Sequence, residues 1–143
     1  MILVDANVLI YAVDSDSPHH RAARAWLEEA LSGTRPVGLA WIVILAFLRL
    51  TTRPGILARP LPVGRAMAFV DEWLAQPCVR ATGPGDGHWA VLSKLMRVAG
   101  TAGNLTSDAH LAALSIELGA SICSTDRDFE RFPGVERISP LRS

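Results

Sequence analysis

Apolar residues fall in short blocks set between longer stretches of helical period. Met1–Val4 (MILV) is uninterrupted and apolar, the pattern of a strand buried on both faces. A short helical segment follows at Ala6–Val13. In DSDSP, Ser17 is placed to cap a helix with Pro18 at its first position. Ala23, Trp26, Leu27, Ala30 and Leu31 then recur at helical spacing, and Gly33 ends the run. Pro36–Ala40 reads as a short strand. Trp41–Thr52 is apolar on every side and is expected to be a buried helix, stopped by Pro54-Gly55. Val63–Gln76 is amphipathic, with Met67, Val70, Trp73 and Leu74 inward. Cys78–Thr82 reads as a strand. Asp86–Ala99 reads as a helix with Trp89, Leu92, Leu95, Met96 and Ala99 inward. Thr106–Leu118 is a helix closed by Gly119, and Ser121–Ser124 and Val135–Ile138 are strands.

Helices alternating with short apolar strands predict a parallel sheet covered on both faces. The expected fold class is α/β, a three-layer α/β/α arrangement around a short central parallel sheet. No internal repeat or long linker divides the chain, so residues 1–143 are expected to form one domain. A length of 143 residues with 50% hydrophobic content allows a sizeable core.

Fourteen basic and fourteen acidic residues cancel, so no bulk field draws the chain to nucleic acid, although a local site remains open. The basic residues are nearly all Arg, with Lys94 the sole lysine. Cys78 and Cys123 lack the spacing of a metal site and read as reduced core residues, which points to a cytoplasmic protein. Asp5 interrupts any signal-peptide core, and the apolar run Val37–Leu48 is shorter than the roughly 20 residues of a membrane span.

The candidate chemistry lies in three acids. Ligands of open parallel sheets bind beyond the carboxyl ends of the strands. Asp5 follows the first strand there, and Asp126 follows Ser121–Ser124 at the same end. Asp108 shares the inward stripe of its helix with Leu111 and Ala112, whereas Glu117, half a revolution away, is expected to face solvent. Each acid has a structural alternative: Asp5 as a cap, Asp108 as a favourable charge at a helix start, Asp126 as a turn residue. Clustered carboxylates, however, repel unless a cation or a shared proton intervenes. Oxygen donors without neighbouring His or Cys suit Mg²⁺ or Mn²⁺.

Other signals are weaker. His19-His20 lacks a metal-binding context and reads as a surface pair, and His110 is expected to point outward. TGPGDG is no phosphate-cradling loop. The four Trp read as core anchors before they read as base-stacking platforms.

DANVLIYA, TSDAHLAALSIELGA and STDRDFERFPG together resemble the PIN-domain ribonucleases, in particular the VapC-type toxins of bacterial type II toxin–antitoxin systems. The resemblance spans nearly the whole chain, including FLRLTT in the helical middle. It implies a PIN-like α/β/α domain and a Mg²⁺-dependent endoribonuclease, with Mn²⁺ as a substitute, that cleaves RNA phosphodiester bonds with water activated at the metal. It implies a cognate antitoxin that blocks the acidic site. Asp5, Asp108 and Asp126 match the family's catalytic acids, with Asp5 and Asp108 as metal ligands and Asp126 beside them. Asn7 and Thr125 match polar positioning residues, to which Asp128 is added. A homodimer is the expected assembly.

One position departs from the family. A glutamate usually precedes the segment corresponding to FLRL, and Ala46 stands there. No acid occurs between Leu31 and Val70, which leaves Asp128 as the recruit. Ala46 favours the alternative reading, a PIN-fold protein-binding module with weak or lost nuclease activity. A haloacid-dehalogenase-like phosphatase is disfavoured because Asn7 stands where that chemistry needs its second Asp as proton donor.

Overall fold

A computed structural model describes residues 1–100 and 103–141. The chain runs β1 (Ile2–Val4), α1 (Ala6–Val13), α2 (His20–Ser32), β2 (Val37–Ala40), α3 (Trp41–Thr52), α4 (Val63–Leu74), β3 (Val79–Thr82), α5 (His88–Ala99), α6 (Thr106–Leu118), β4 (Ser121–Cys123) and β5 (Arg137–Ile138). Short 3₁₀ turns precede α6 at Gly103–Leu105 and follow β4 at Arg127–Arg131.

The five strands form one parallel sheet in the order β3-β2-β1-β4-β5. The chain steps outward from β1 to β2 to β3, then returns across the sheet to β4. Right-handed crossovers therefore put α1–α4 on one face and α5–α6 on the other. The contacts agree: α1 packs on α2 and α3, α3 on α4, and α5 on α6. This is the expected three-layer α/β/α fold.

Strands β1 and β2 are wholly buried, as continuous apolar runs should be in a sheet covered twice. Their approach is close. A Cβ on Gly38 would lie 2.5 Å from Cδ2 of the fully buried Leu3, so only glycine fits there without repacking. Phe47 and Trp73 meet edge to face at 4.8 Å and tie α3 to α4. Gly119, at φ 62°, supplies the left-handed turn that ends α6.

Several side chains depart from the sequence pattern. Helix α2 begins at His20, because Ser17 instead accepts from the His19 N–H in a turn that includes Pro18. Trp41 and Leu45, in the all-apolar α3, are 53% and 58% exposed, so one flank of that helix is uncovered. Met67 and Trp89 also point outward. Of the four Trp, Trp73 is buried, Trp26 half-buried, and Trp41 and Trp89 exposed. Both cysteines are free, and burial together with Asp5 pushes the Cys123 thiol up to about 12. No helix among the described residues is long and apolar enough to cross a membrane.

Candidate active site

The direction of winding reverses between β1 and β4. There the loops leaving neighbouring strands diverge to opposite faces and open a crevice. Asp5 leaves β1 and Asp126 follows β4 at this point.

Asp5 is held from three sides. Its Oδ1 accepts from the Ala6 N–H at 2.8 Å, capping α1. Its Oδ2 accepts from the Ser124 hydroxyl at 2.7 Å and from Asn7 Nδ2 at 3.2 Å. Its own N–H donates to the Cys123 carbonyl at 2.9 Å. Burial raises the Asp5 pKa and the charge of Asp126 adds to this, against the lowering effect of the hydrogen bonds from Ser124, Ala6 and Asn7. The capping role and membership of the acidic crevice thus coexist in one side chain.

Ser124, fully buried, was not marked by the sequence pattern. Its Oγ donates to Asp5 and accepts from Asn7 Nδ2 at 3.1 Å and from the Asp126 N–H at 3.0 Å. A hydroxyl has one donor and two acceptor sites, and all are used. Thr125 enters the network through its backbone, donating its N–H to Asn7 Oδ1 at 3.2 Å. Asn7 thereby bridges β1's exit to β4's exit with both ends of its amide.

Asp108 stands in the first turn of α6. Asp108, Asp126 and Asp128 each place a carboxylate oxygen so that all three lie within 4.8 Å of one another. Asp126 Oδ1 also accepts from the Asp128 N–H at 2.8 Å, which fixes the tight turn between them. The Asp108 carboxyl is pushed up to about 6, first by burial and then by the charges of Asp126, Asp5 and Asp128. Among the described residues no cationic side chain pairs with Asp5, Asp108 or Asp126; Asp128 has Arg131 at 3.8 Å. The crevice therefore concentrates negative charge with little internal compensation.

Ala46 borders this crevice. With Asp5, Asp108, Ser107 and Leu111 it lines a depression of about 70 Å³. A longer acidic side chain at position 46 would reach towards the same carboxylates that Ala46 leaves uncrowded.

The far end of α6 differs from expectation. Glu117 does not face solvent but lies half-buried, and its Oε2 accepts from His88 Nδ1 at 2.5 Å. His88 Nε2 in turn meets His110 Nδ1 at 2.9 Å, so His110 points into the α5–α6 seam, not outward. Burial, followed by the charge of His88, lowers the His110 pKa, while Glu117 opposes the change. His19 packs on Tyr11, and His20 Nδ1 lies 2.9 Å from the Tyr11 carbonyl, so neither approaches the acids.

Residues 2–135 match the PIN domain family. The chain is 48% identical over 140 residues to ribonuclease VapC37 of Mycobacterium tuberculosis, covering 98% of this chain and 97% of the relative. Ribonuclease VapC33 of the same organism is 42% identical over 142 residues, covering 99% of both chains. Among solved structures, VapBC2 from Rickettsia felis bound to a promoter DNA fragment matches with a TM-score of 0.71 at 16% identity, covering 97% of this chain and 98% of that one. M. tuberculosis VapC20, described as a sarcin-ricin loop cleaving toxin, matches with a TM-score of 0.68 at 19% identity, covering 95% of this chain and 99% of that one. At these identities the structural matches establish the shared fold.

Proposed function

The chain belongs to the PIN domain family, in its VapC group, and on that footing we propose that it is a metal-dependent endoribonuclease, a hydrolase of RNA phosphodiester bonds, and the toxin of a toxin–antitoxin pair. The observation that carries the reading is the Asp108–Asp126–Asp128 cluster, with Asp5 beside it, at the reversal of the sheet. Burial first, and then the like charges of Asp126, Asp5 and Asp128, push the Asp108 carboxyl up to about 6, a cost that a bound cation would relieve.

The donor set fits Mg²⁺ or Mn²⁺, because every candidate ligand atom is a carboxylate oxygen and, among the described residues, no thiolate or imidazole converges there. Asp5 and Asp108 would hold the ion, with Asp126 beside them. When bound, such an ion supplies charge neutralisation at a phosphate and makes water more acidic. The chain's own part is orientation. Ser124 and Asn7 fix the Asp5 carboxylate, while the Asp126 Oδ1 bond to the Asp128 N–H leaves Asp126 Oδ2 to accept a proton or orient water. Ala6, Leu111 and the apolar start of α3 wall the crevice on one side and limit solvent there. Residues 1–143 act as one cytoplasmic domain. A homodimer would cover the exposed Trp41 and Leu45 flank of α3.

The cognate antitoxin would place an Arg or Lys in the crevice, since a guanidinium pairs with carboxylates in a fixed fork. Removing every basic residue from its toxin-binding segment should abolish inhibition. The competing reading, a binding module with lost cleavage, draws on Ala46. Against it stands the Asp108–Asp126–Asp128 group, which does not involve position 46. The test is cleavage of structured RNA with Mg²⁺ or Mn²⁺, its abolition by EDTA, and its loss in Asp108→Asn. Metal-independent binding of the partner by a protein that never cleaves would decide for the module.

A further inference from the structure

The two acids supplied by the segment after β4 depend on where that segment is held. Its start, Ser124, is anchored through the hydroxyl network described above. Its end is not part of any strand or long helix, and Asp126 and Asp128 lie between. One half-buried cation spans the gap. Arg137, on the edge strand β5 opposite Ile122, donates from Nη1 to the Ser124 carbonyl at 3.0 Å and from Nη2 to Glu130 Oε1 at 3.1 Å. Its side chain is only 15% exposed, unlike the Arg127–Glu130 and Arg131–Asp128 pairs, in which both partners are open to solvent. Its Nε is buried without a partner among the described residues.

We infer that Arg137 is a positioning residue, which clamps the Ser124–Glu130 loop at both ends and so sets the placement of Asp126 and Asp128 relative to Asp108. The inference rests on the metal-site reading proposed above. A guanidinium reaches both acceptors because its donors form a rigid planar fork; an ammonium in its place can satisfy one. Arg137 also contacts the backbone of the residue whose hydroxyl fixes Asp5, so both sides of the crevice respond to one side chain. Its charge is felt at the strand end, where it draws the Cys123 thiol downward against burial and Asp5.

Direct Mn²⁺ titration of the purified full chain, free of antitoxin, tests this alongside thermal melts. Wild type should bind Mn²⁺ and Asp108→Asn should lose that binding. Arg137→Lys, which keeps the charge but not the fork, should bind about tenfold more weakly, the low end for partners that orient ligands indirectly. Glu130→Gln, at an exposed carboxylate, should fold normally and weaken binding by a smaller factor. Arg137→Ala should weaken it further and recover in millimolar guanidinium, which leaves the wild type unchanged. If Arg137→Ala does not fold, Arg137→Lys and Glu130→Gln decide. Wild-type Mn²⁺ affinity in folded Arg137→Lys, even with a lowered melting temperature, overturns the role of Arg137 alone. Absence of Mn²⁺ binding by the wild type overturns the metal-site reading, and this inference with it.

Discussion

Helix α6 presents two groups of ionisable side chains and treats them in opposite ways. At its start, Asp108 meets Asp126 and Asp128 with Asp5 close by, and among the described residues no cation pairs with it. Along its α5-facing side, Glu117 meets His88 and, through it, His110, so that an acceptor faces a donor at each step. The second group is what a fold builds when it buries polar atoms for its own sake: partners are supplied and the α5–α6 seam is tied. The first group costs stability, and the chain supplies hydrogen bonds that orient the charges without neutralising them. The difference separates a site kept for a ligand from one kept for structure.

The largest expected break in this comparison is Asp108→Asn. RNA cleavage should fall by a factor on the order of 10² or more. The metal-free protein should melt higher than wild type near neutral pH, because a repelled carboxylate is gone. Loss of activity with gain of stability marks a ligand-holding acid; a pure helix-start role would give the reverse on both counts.

Next comes His88→Ala, on the structural side. It leaves Glu117 and His110 half-buried without their shared partner and should destabilise the fold by about 1–3 kcal/mol in denaturant melts. The folded fraction should still bind Mn²⁺ as wild type does. A large change in metal affinity would show that the two groups are coupled along α6. Glu117→Gln would be a neutral control only if Glu117 faced solvent; it belongs with this set, and the exposed Glu29 is the better control.

Ala46→Glu sharpens the acidic side. Because Ala46 shares a depression with Asp5 and Asp108, the added carboxylate should tighten Mn²⁺ binding in calorimetry and lower the melting temperature of the metal-free protein. Unchanged metal affinity with a large stability loss would mean that position 46 does not correspond to the family's glutamate.

The smallest effect is the pH dependence. Asp108 keeps its proton to about pH 6 in the fold, against an ordinary 3.8. Between those values the folded chain binds more protons than the unfolded one, so metal-free stability should fall as pH rises from about 4 to about 6. Mn²⁺ should reverse the trend above pH 6, where the carboxylate is free to bind it. Melts with and without Mn²⁺ across that window check the sign, and Asp108→Asn should flatten the curve.

The sequence carried the elements because their periodicities are strong. Trp41–Thr52 and Thr106–Leu118 occupy the spans their patterns predict. It also carried the acids, since a charge on an apolar stripe or at the end of a buried strand is conspicuous. What it could not carry depended on packing between distant elements. In ICSTD two neighbouring hydroxyls compete, and only the pairing of β4 with β1 decides that Ser124 turns toward Asp5. Glu117 looks solvent-facing on an isolated helix and is claimed by α5. Trp41, Met67 and Trp89 fit apolar stripes yet lie beyond the reach of the single sheet those stripes pack on.

The bond between Ser124 and Asp5 joins residues 119 positions apart. Asp5 is made well before Ser124, and its anchor arrives only when β4 has been synthesised and paired beside β1. Long-range pairing of this kind is slow to form and cannot be anticipated by a nascent chain. Until then Asp5 is a cap without its hydroxyl partner, and Asp126 and Asp128 have not been made. The crevice is therefore completed only once β4 is in place, and a chain truncated between α6 and β4 carries Asp5 and Asp108 but no site.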